Sequence, residues 1–307
     1  MEVMITQPLV VSSERALKQR YRVHRYYDCE DKSALLAEIG ERVRAIAGGK
    51  VDVELMDRLP NLEIISCFGV GYDSVDVQEA TKRGIRVTNT PDVLNDAVAE
   101  LAIGMMIALA RRLLQADRFV REGMWPFGEF GLQAELTGRT LGILGLGRIG
   151  RELAARAQAM KMRVVYHGRA PKADAPFEYF SSLEEMALVS DWLVVLAPGG
   201  RDTTGIVSRR VLQALGPQGY LVNLARGSVV DQEALLDLLF NGGIRGAALD
   251  VFEHEPKVPE AFFGLENVLL SPHQGSGTVR ARDLMGALLV ANIDAQLSGR
   301  PVLTAVV

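Results

Sequence analysis

Residues 144–150 read Leu144-Gly145-Leu146-Gly147-Arg148-Ile149-Gly150. They follow an apolar run, Thr140-Leu141-Gly142-Ile143, that reads as a buried strand. They precede Arg151-Glu152-Leu153-Ala154-Ala155-Arg156-Ala157, which reads as a helix. Strand, glycine turn and helix in that order are the setting in which G-x-G-x-x-G binds a dinucleotide. Gly145 permits the tight turn, Gly147 lets the backbone approach a pyrophosphate, and Gly150 lets helix and strand pack closely. Leu146, Arg148 and Ile149 complete the turn, and the helix N-terminus offers N–H groups and a positive dipole end to phosphate.

Outward from this turn the chain alternates strands and helices. Downstream strands are expected at 141–144, 163–166, 192–196, 220–223, 246–250 and 268–270, enough for a complete doubly wound sheet. Upstream, Val3-Met4-Ile5, Arg22 to Tyr27, Ala45-Ile46-Ala47, Leu62 to Ser66 and Arg86-Val87-Thr88 read as a second β-α-β-α series. Asn95 to Val120 reads as one long helix with a broad apolar face, followed by an irregular loop holding Trp125, Pro126 and Phe127. The chain turns helical again from Ala281 and is expected to pack back on the first domain. The expectation is therefore α/β: two Rossmann-like or flavodoxin-like doubly wound parallel-sheet domains with a cleft between them. A discontinuous substrate-binding domain would comprise 1–95 plus 281–307. A dinucleotide-binding domain would comprise 96–280, including a helix and arm at about 96–131.

Composition narrows the classes. With 307 residues, 48% hydrophobic and 23% charged, the chain can bury large cores. A net charge of −4 argues against a general nucleic-acid binder. The two cysteines, Cys29 and Cys67, form neither a disulfide framework nor a metal pattern, and no metal site is expected. The first residues lack signal-peptide character, and Leu101 to Ala110 is far short of the roughly 20 apolar residues of a membrane span. A cytoplasmic protein is expected.

The second strand of the glycine-turn fold selects the cofactor. NAD-binding folds end it in Asp or Glu, about 20 residues past the glycines, to hold the ribose hydroxyls. Here it ends His167-Gly168-Arg169, with no carboxylate. Arg169 can make a forked contact with a 2′-phosphate and lie on an adenine face, so NADPH is expected over NADH. Asp174, the next carboxylate, lies beyond Pro171 and Lys172, too far along the loop for the ribose.

Three further residues stand at predicted strand ends, where an open parallel sheet presents its crevice. They are Arg226 in Asn223-Leu224-Ala225-Arg226-Gly227, Glu255 in Phe252-Glu253-His254-Glu255-Pro256, and His273 in Ser271-Pro272-His273-Gln274-Gly275. An Arg, a carboxylate and a His suffice to reduce a 2-oxo acid. The Arg pairs with the substrate carboxylate and polarises the carbonyl. The protonated His gives a proton to the carbonyl oxygen as hydride arrives, and the Glu holds the imidazolium and raises its pKa. Glu253 and His254 compete for the same roles on residue type alone.

The ordered motifs Gly69-Val70-Gly71-Tyr72-Asp73, Asn89-Thr90-Pro91, Val98-Ala99-Glu100, Leu136 to Ile143, the glycine turn, Asn223 to Gly227, Leu249-Asp250-Val251-Phe252 and Ser271-Pro272-His273 carry a resemblance. The chain resembles the D-2-hydroxyacid dehydrogenases, particularly their NADPH-dependent glyoxylate/hydroxypyruvate reductase branch, with phenylpyruvate reductases close by. The resemblance implies Arg226, Glu255 and His273 as the catalytic set. It implies that Val70 and Gly71 offer N–H groups to the substrate carboxylate. On residue type, Trp125, Phe127 and Phe130 can cap the substrate pocket or simply pack as the dimer arm. The resemblance also places Asp250 against the nicotinamide amide, with Pro198, Thr203, Leu224, Ala225 and Gly275 around the cofactor. It implies a homodimer built on the long helix and the Trp125 loop, and (R)-configured products.

Two departures concern the rim of the site. Gln274-Gly275-Ser276-Gly277 stands where Ile-Gly-Ser-Ala is commoner, and Gly199-Gly200-Arg201 stands where Leu-Thr-Pro is usual. Hydroxypyruvate or glyoxylate is the expected substrate, with phenylpyruvate or hydroxyphenylpyruvate as the alternative. Formate oxidation is disfavoured, because relatives that perform it carry Gln in place of Glu255. A cofactor-sensing, corepressor-like binding protein is the alternative of a different class.

Overall fold

Runs of three to five residues, most of them apolar, become the strands of two all-parallel sheets. The computed structural model describes residues 1–307, which divide into two compact units, Met1–Leu94 with Thr278–Val307, and Asn95–Gly277.

The first unit alternates β1 (Glu2–Ile5), α1 (Val11–Lys18), β2 (Arg22–Arg25), α2 (Lys32–Ile39), β3 (Val43–Ala47), α3 (Val53–Asp57), β4 (Ile64–Ser66), α4 (Val77–Lys82) and β5 (Arg86–Thr88). Its strand order is β2-β1-β3-β4-β5, the flavodoxin-like order. β1 and β4 are buried along their whole length, as expected of strands covered on both faces. The helix α11 (Val279–Leu297) returns to this unit and packs on α1. The approach needs a glycine: a Cβ at Gly286 would stand 1.8 Å from Ser13 Oγ.

The second unit begins with α5 (Asn95–Ala110) and α6 (Leu113–Arg121). It continues through β6 (Thr140–Leu144), α7 (Arg148–Ala159), β7 (Arg163–His167), β8 (Glu178–Phe180), α8 (Leu183–Leu188) and β9 (Trp192–Val195). Then come α9 (Arg209–Leu215), β10 (Tyr220–Asn223), α10 (Gln232–Phe240), β11 (Gly246–Leu249) and β12 (Val268–Leu270). The order is β12-β11-β10-β9-β6-β7-β8, so the side on which successive strands are added switches between β6 and β9. Open α/β sheets bind ligands at that switch point, and the glycine turn leaves β6 there.

Two expectations change. The helix read from Asn95 to Val120 is two helices, broken where Arg112 adopts a left-handed conformation (φ 48°). Apolar periodicity runs through the break, but Arg112 turns outward to pair with Glu266 at 2.7 Å, and α6 buries none of its residues. The seventh strand, β8, is an edge strand of three residues that pairs with β7. No helix is long and apolar enough to cross a membrane.

Candidate active site

The glycine turn is shaped as its residues require. Gly145 has φ 101°, and a Cβ there would stand 2.8 Å from the Ala197 nitrogen. A Cβ on Gly150 would come within 2.5 Å of the Gly145 carbonyl oxygen, so helix and strand touch. Gly147 faces open space, with nothing within 4 Å of a would-be Cβ. It is the N-cap of the twelve-residue α7, which no side chain caps. The N–H groups of Ile149 and Gly150 have no backbone partner. An open cradle above uncapped helix N–H groups fits the pyrophosphate of a dinucleotide.

The loop after β7 is folded back on the sheet. The Lys172 N–H donates to Tyr166 Oη at 2.7 Å, and Tyr179 Oη donates to the Gly168 carbonyl at 3.2 Å. His167 Nδ1 donates to the Phe180 carbonyl at 2.8 Å. Gly168 is open and Arg169 is exposed. Asp174 is engaged elsewhere, 2.7 Å from Arg151 on α7, whose guanidinium holds the carboxyl below its ordinary pKa. Thr203 Oγ1 donates to the Pro198 carbonyl at 2.7 Å and so closes its own loop.

Arg226 follows β10 through a turn built by Asn223, a residue that sequence reasoning did not single out. Asn223 is 1% exposed; its Oδ1 accepts from Ala225 N at 3.1 Å and its Nδ2 donates to the Arg226 carbonyl at 2.9 Å. This closes residues 223–226, with Leu224 and Ala225 at the crest. The next residue must be glycine, because a Cβ at 227 would stand 1.9 Å from the Phe252 carbonyl carbon. The turn bearing Arg226 is thus pressed against the segment leading to Glu255.

Glu255 and His273 form a pair. Glu255 Oε1 accepts the Phe252 N–H at 3.0 Å, and Oε2 lies 2.7 Å from His273 Nδ1. A carboxylate only accepts, so Nδ1 carries a proton and Nε2 is the free end of the ring. Burial pushes the Glu255 pKa up. The His273 hydrogen bond, the Phe252 N–H and the charges of His273 and Arg226 outweigh it and hold the group below its ordinary value. Glu255, not Glu253, meets the imidazole. His254 is exposed and bridges Lys257 through its backbone, and it is His273 that meets Glu255.

His273 itself has φ 54°, rare for a side-chain-bearing residue. Asp250, 1% exposed, holds the loop in that shape. Its Oδ1 accepts from Ser271 Oγ at 2.5 Å and Gln274 N at 2.6 Å, its Oδ2 accepts from Gly275 N at 2.7 Å, and its own carbonyl accepts from His273 N at 2.8 Å. Val70 and Gly71 lie in the loop after β4, in the first unit, and are partly buried. Trp125 lies in a short helical turn of the second unit and is 66% exposed.

Residues 103–275 match the model of the D-isomer specific 2-hydroxyacid dehydrogenase family, NAD binding domain. The chain belongs to the D-isomer specific 2-hydroxyacid dehydrogenases. It is 46% identical over 308 residues to hydroxyphenylpyruvate reductase of Plectranthus scutellarioides, covering 99% of this chain and 98% of the relative. It is equally identical, with the same coverage, to a glyoxylate/hydroxypyruvate reductase of Arabidopsis thaliana. A solved NADPH-dependent glyoxylate/hydroxypyruvate reductase of Sinorhizobium meliloti, in complex with NADP and malonate, superposes with a TM-score of 0.94 at 44% identity, covering 99% of this chain and 96% of that one. This dehydrogenase thus carries the nicotinamide-binding fold of its family, and its chemistry is oxidoreduction.

Proposed function

We propose that the protein uses NADPH to reduce hydroxypyruvate to the (R)-2-hydroxy acid, or glyoxylate to the achiral 2-hydroxy acid. The observation that carries this is the 2.7 Å His273–Glu255 pair, set at a strand end of the sheet that holds the glycine turn. Arg226, whose positive charge acts on Glu255 together with that of His273, anchors the substrate carboxylate and polarises the carbonyl. His273 Nε2 delivers a proton to the carbonyl oxygen, and Glu255 stabilises the imidazolium before that transfer and keeps the ring in register. The reduced nicotinamide, when bound, supplies the hydride to the carbonyl carbon. Gly145 to Gly150 would take the pyrophosphate, Gly168 and Arg169 the 2′-phosphate side, and Val70 and Gly71 the substrate carboxylate.

The second unit is proposed as the dinucleotide domain and the first as the substrate domain. Leu113, Leu114, Val120, Trp125, Phe127 and Leu132 are large exposed apolar residues on one continuous segment, which supports a homodimer. Two unpaired thiols support a reducing, cytoplasmic setting. Hydroxyphenylpyruvate is the second substrate reading, favoured by the Plectranthus relative.

The test is kcat/KM for glyoxylate, hydroxypyruvate and hydroxyphenylpyruvate with NADPH and NADH, for wild type and His273→Ala. Turnover of a 2-oxo acid that falls about 10²–10⁴-fold in the variant, with NADPH affinity kept, is the expected result. NADPH binding without turnover would point instead to a cofactor-sensing protein.

A further inference from the structure

The loop after β4 holds two adjacent peptide groups by their carbonyls. The Thr90 N–H donates to the Gly69 carbonyl at 2.9 Å, and Asn89 Nδ2 donates to the Val70 carbonyl at 2.9 Å. Both peptides are trans, since the chain's cis bond is Glu255–Pro256. In a trans peptide the N–H points opposite to the C=O. Drawing the Gly69 and Val70 carbonyls toward the end of β5 therefore turns the Val70 and Gly71 N–H groups away from it, on one side of the loop. Neither N–H has a partner within the protein. Two successive N–H groups facing one way form a small anion-binding concavity.

Asn89 is itself held from behind. Thr304 Oγ1 donates to the Asn89 carbonyl at 2.6 Å and accepts from Asn292 Nδ2 at 2.8 Å. Asn292 lies on α11 and is fully buried. Its Oδ1 accepts from Leu303 N at 2.8 Å and Thr304 N at 3.2 Å, and its Nδ2 also donates to the Leu288 carbonyl at 3.0 Å. Every hydrogen-bonding capacity of that amide is used, so the segment around Thr304 has one position. Thr88 and Ala305 pair as an antiparallel bridge beside it.

We propose that Asn89 is a positioning residue that aims the Val70 and Gly71 N–H groups at the carboxylate of the 2-oxo acid, and that Thr304 and Asn292 fix Asn89 in that orientation. The proposal rests on the reductase reading above. Its chemistry is specific: only an amide N–H at 89 turns the Val70 peptide, and a carboxylate of the same size repels the Val70 carbonyl.

The test compares wild type with Asn89→Asp and Thr304→Val. Asn89→Asp keeps the shape and removes the donor. KM for hydroxypyruvate is expected to rise about tenfold, the scale of one weakened charge-assisted hydrogen bond, with kcat within about threefold. Thr304→Val is expected to raise KM about threefold. NADPH affinity stays at the wild-type value in both variants, which a merely structural role would not allow; Tm falls by a few degrees in Thr304→Val, because the buried Asn292 Nδ2 loses its acceptor. Calorimetric titration of oxamate into NADPH-saturated protein reads the same carboxylate site without turnover, and its affinity falls in parallel. Wild-type KM and oxamate affinity in both variants would overturn the proposal. So would equal losses of oxamate binding, NADPH binding and Tm. If Asn89→Asp does not fold, Asn89→Ala, which removes the donor without adding a charge and is expected to raise KM and weaken oxamate to the same extent, decides it together with Thr304→Val. A wild-type protein that reduces no 2-oxo acid overturns the reductase reading itself, a different result from normal turnover with an indifferent Asn89→Asp.

Discussion

Gly227→Ala places one methyl group where the active site has no room for it. The new Cβ would stand 1.9 Å from the Phe252 carbonyl carbon, 2.2 Å from Glu253 N and 2.3 Å from Phe252 O. All three are backbone atoms and cannot rotate away. Carbon atoms in contact sit about 3.5 Å apart, so the two segments must separate by about 1.5 Å. One segment carries Arg226 and the other leads to Glu255, so the separation falls within the catalytic set. A misplacement of about 1 Å costs on the order of 10²-fold in rate, and kcat/KM is expected to drop at least that far. Overpacking costs about 1–3 kcal/mol, and a backbone collision belongs at the upper end. For a unit of this size about 3 kcal/mol lowers Tm by roughly 6–12 °C. The assay is NADPH-dependent reduction of hydroxypyruvate beside thermal unfolding. Gly264→Ala, where a Cβ meets nothing within 4 Å, serves as the control. Gly227→Ala with kcat/KM within about threefold of wild type would refute the close packing of these two segments.

Other perturbations separate the remaining roles. Arg226→Ala should lower kcat/KM by about 10²–10⁴-fold, because two charged hydrogen bonds are lost together; Arg226→Lys should recover little, since a point charge cannot replace the fork. Arg169→Ala should weaken NADPH about 10–100-fold and leave NADH nearly unchanged, measured by fluorescence titration; equal losses would contradict the phosphate assignment. Glu255 is held below its ordinary 4.5, so its contribution to stability is complete above that value and is lost as pH falls through the folded-state value. Wild-type Tm should therefore fall more steeply than that of Glu255→Gln below pH 4.5, and parallel curves would remove the pair from the stability account.

Much of the second sheet was legible because its strands are short apolar runs cut off by turn residues. Tyr220–Asn223 and Val268–Leu270 have the bounds the sequence suggests. β8 was not, because Glu178-Tyr179-Phe180 is three residues long, begins with a charge and is at most half-buried, so no pattern marks it. The break at Arg112 escaped for the opposite reason: an unbroken helical period masks a single left-handed residue. Residue type alone left Glu253 and Glu255 as equals, and only the fold separates them. Asn223 and Asp250 shape their loops through hydrogen bonds, and no local pattern encodes those of Asp250, which span 21 to 25 residues.

A buried carboxylate, Asp250, and a solvent-accessible one, Glu255, divide the work around His273. An unpaired carboxylate at 1% exposure would be costly, and Asp250 avoids that cost by accepting three hydrogen bonds from one loop. The same bonds offset the left-handed backbone at His273, a strain on the order of 1–3 kcal/mol. Because the loop is pinned at Ser271, Gln274 and Gly275, the side chain at its tip is fixed in position without being touched by Asp250. Glu255 then acts on the ring alone, from a separate segment, and sets which nitrogen carries the proton. Backbone geometry and imidazole protonation are therefore controlled by different residues. A change at Glu255 should alter proton delivery while the loop keeps its shape, whereas a change at Asp250 should move the imidazole itself.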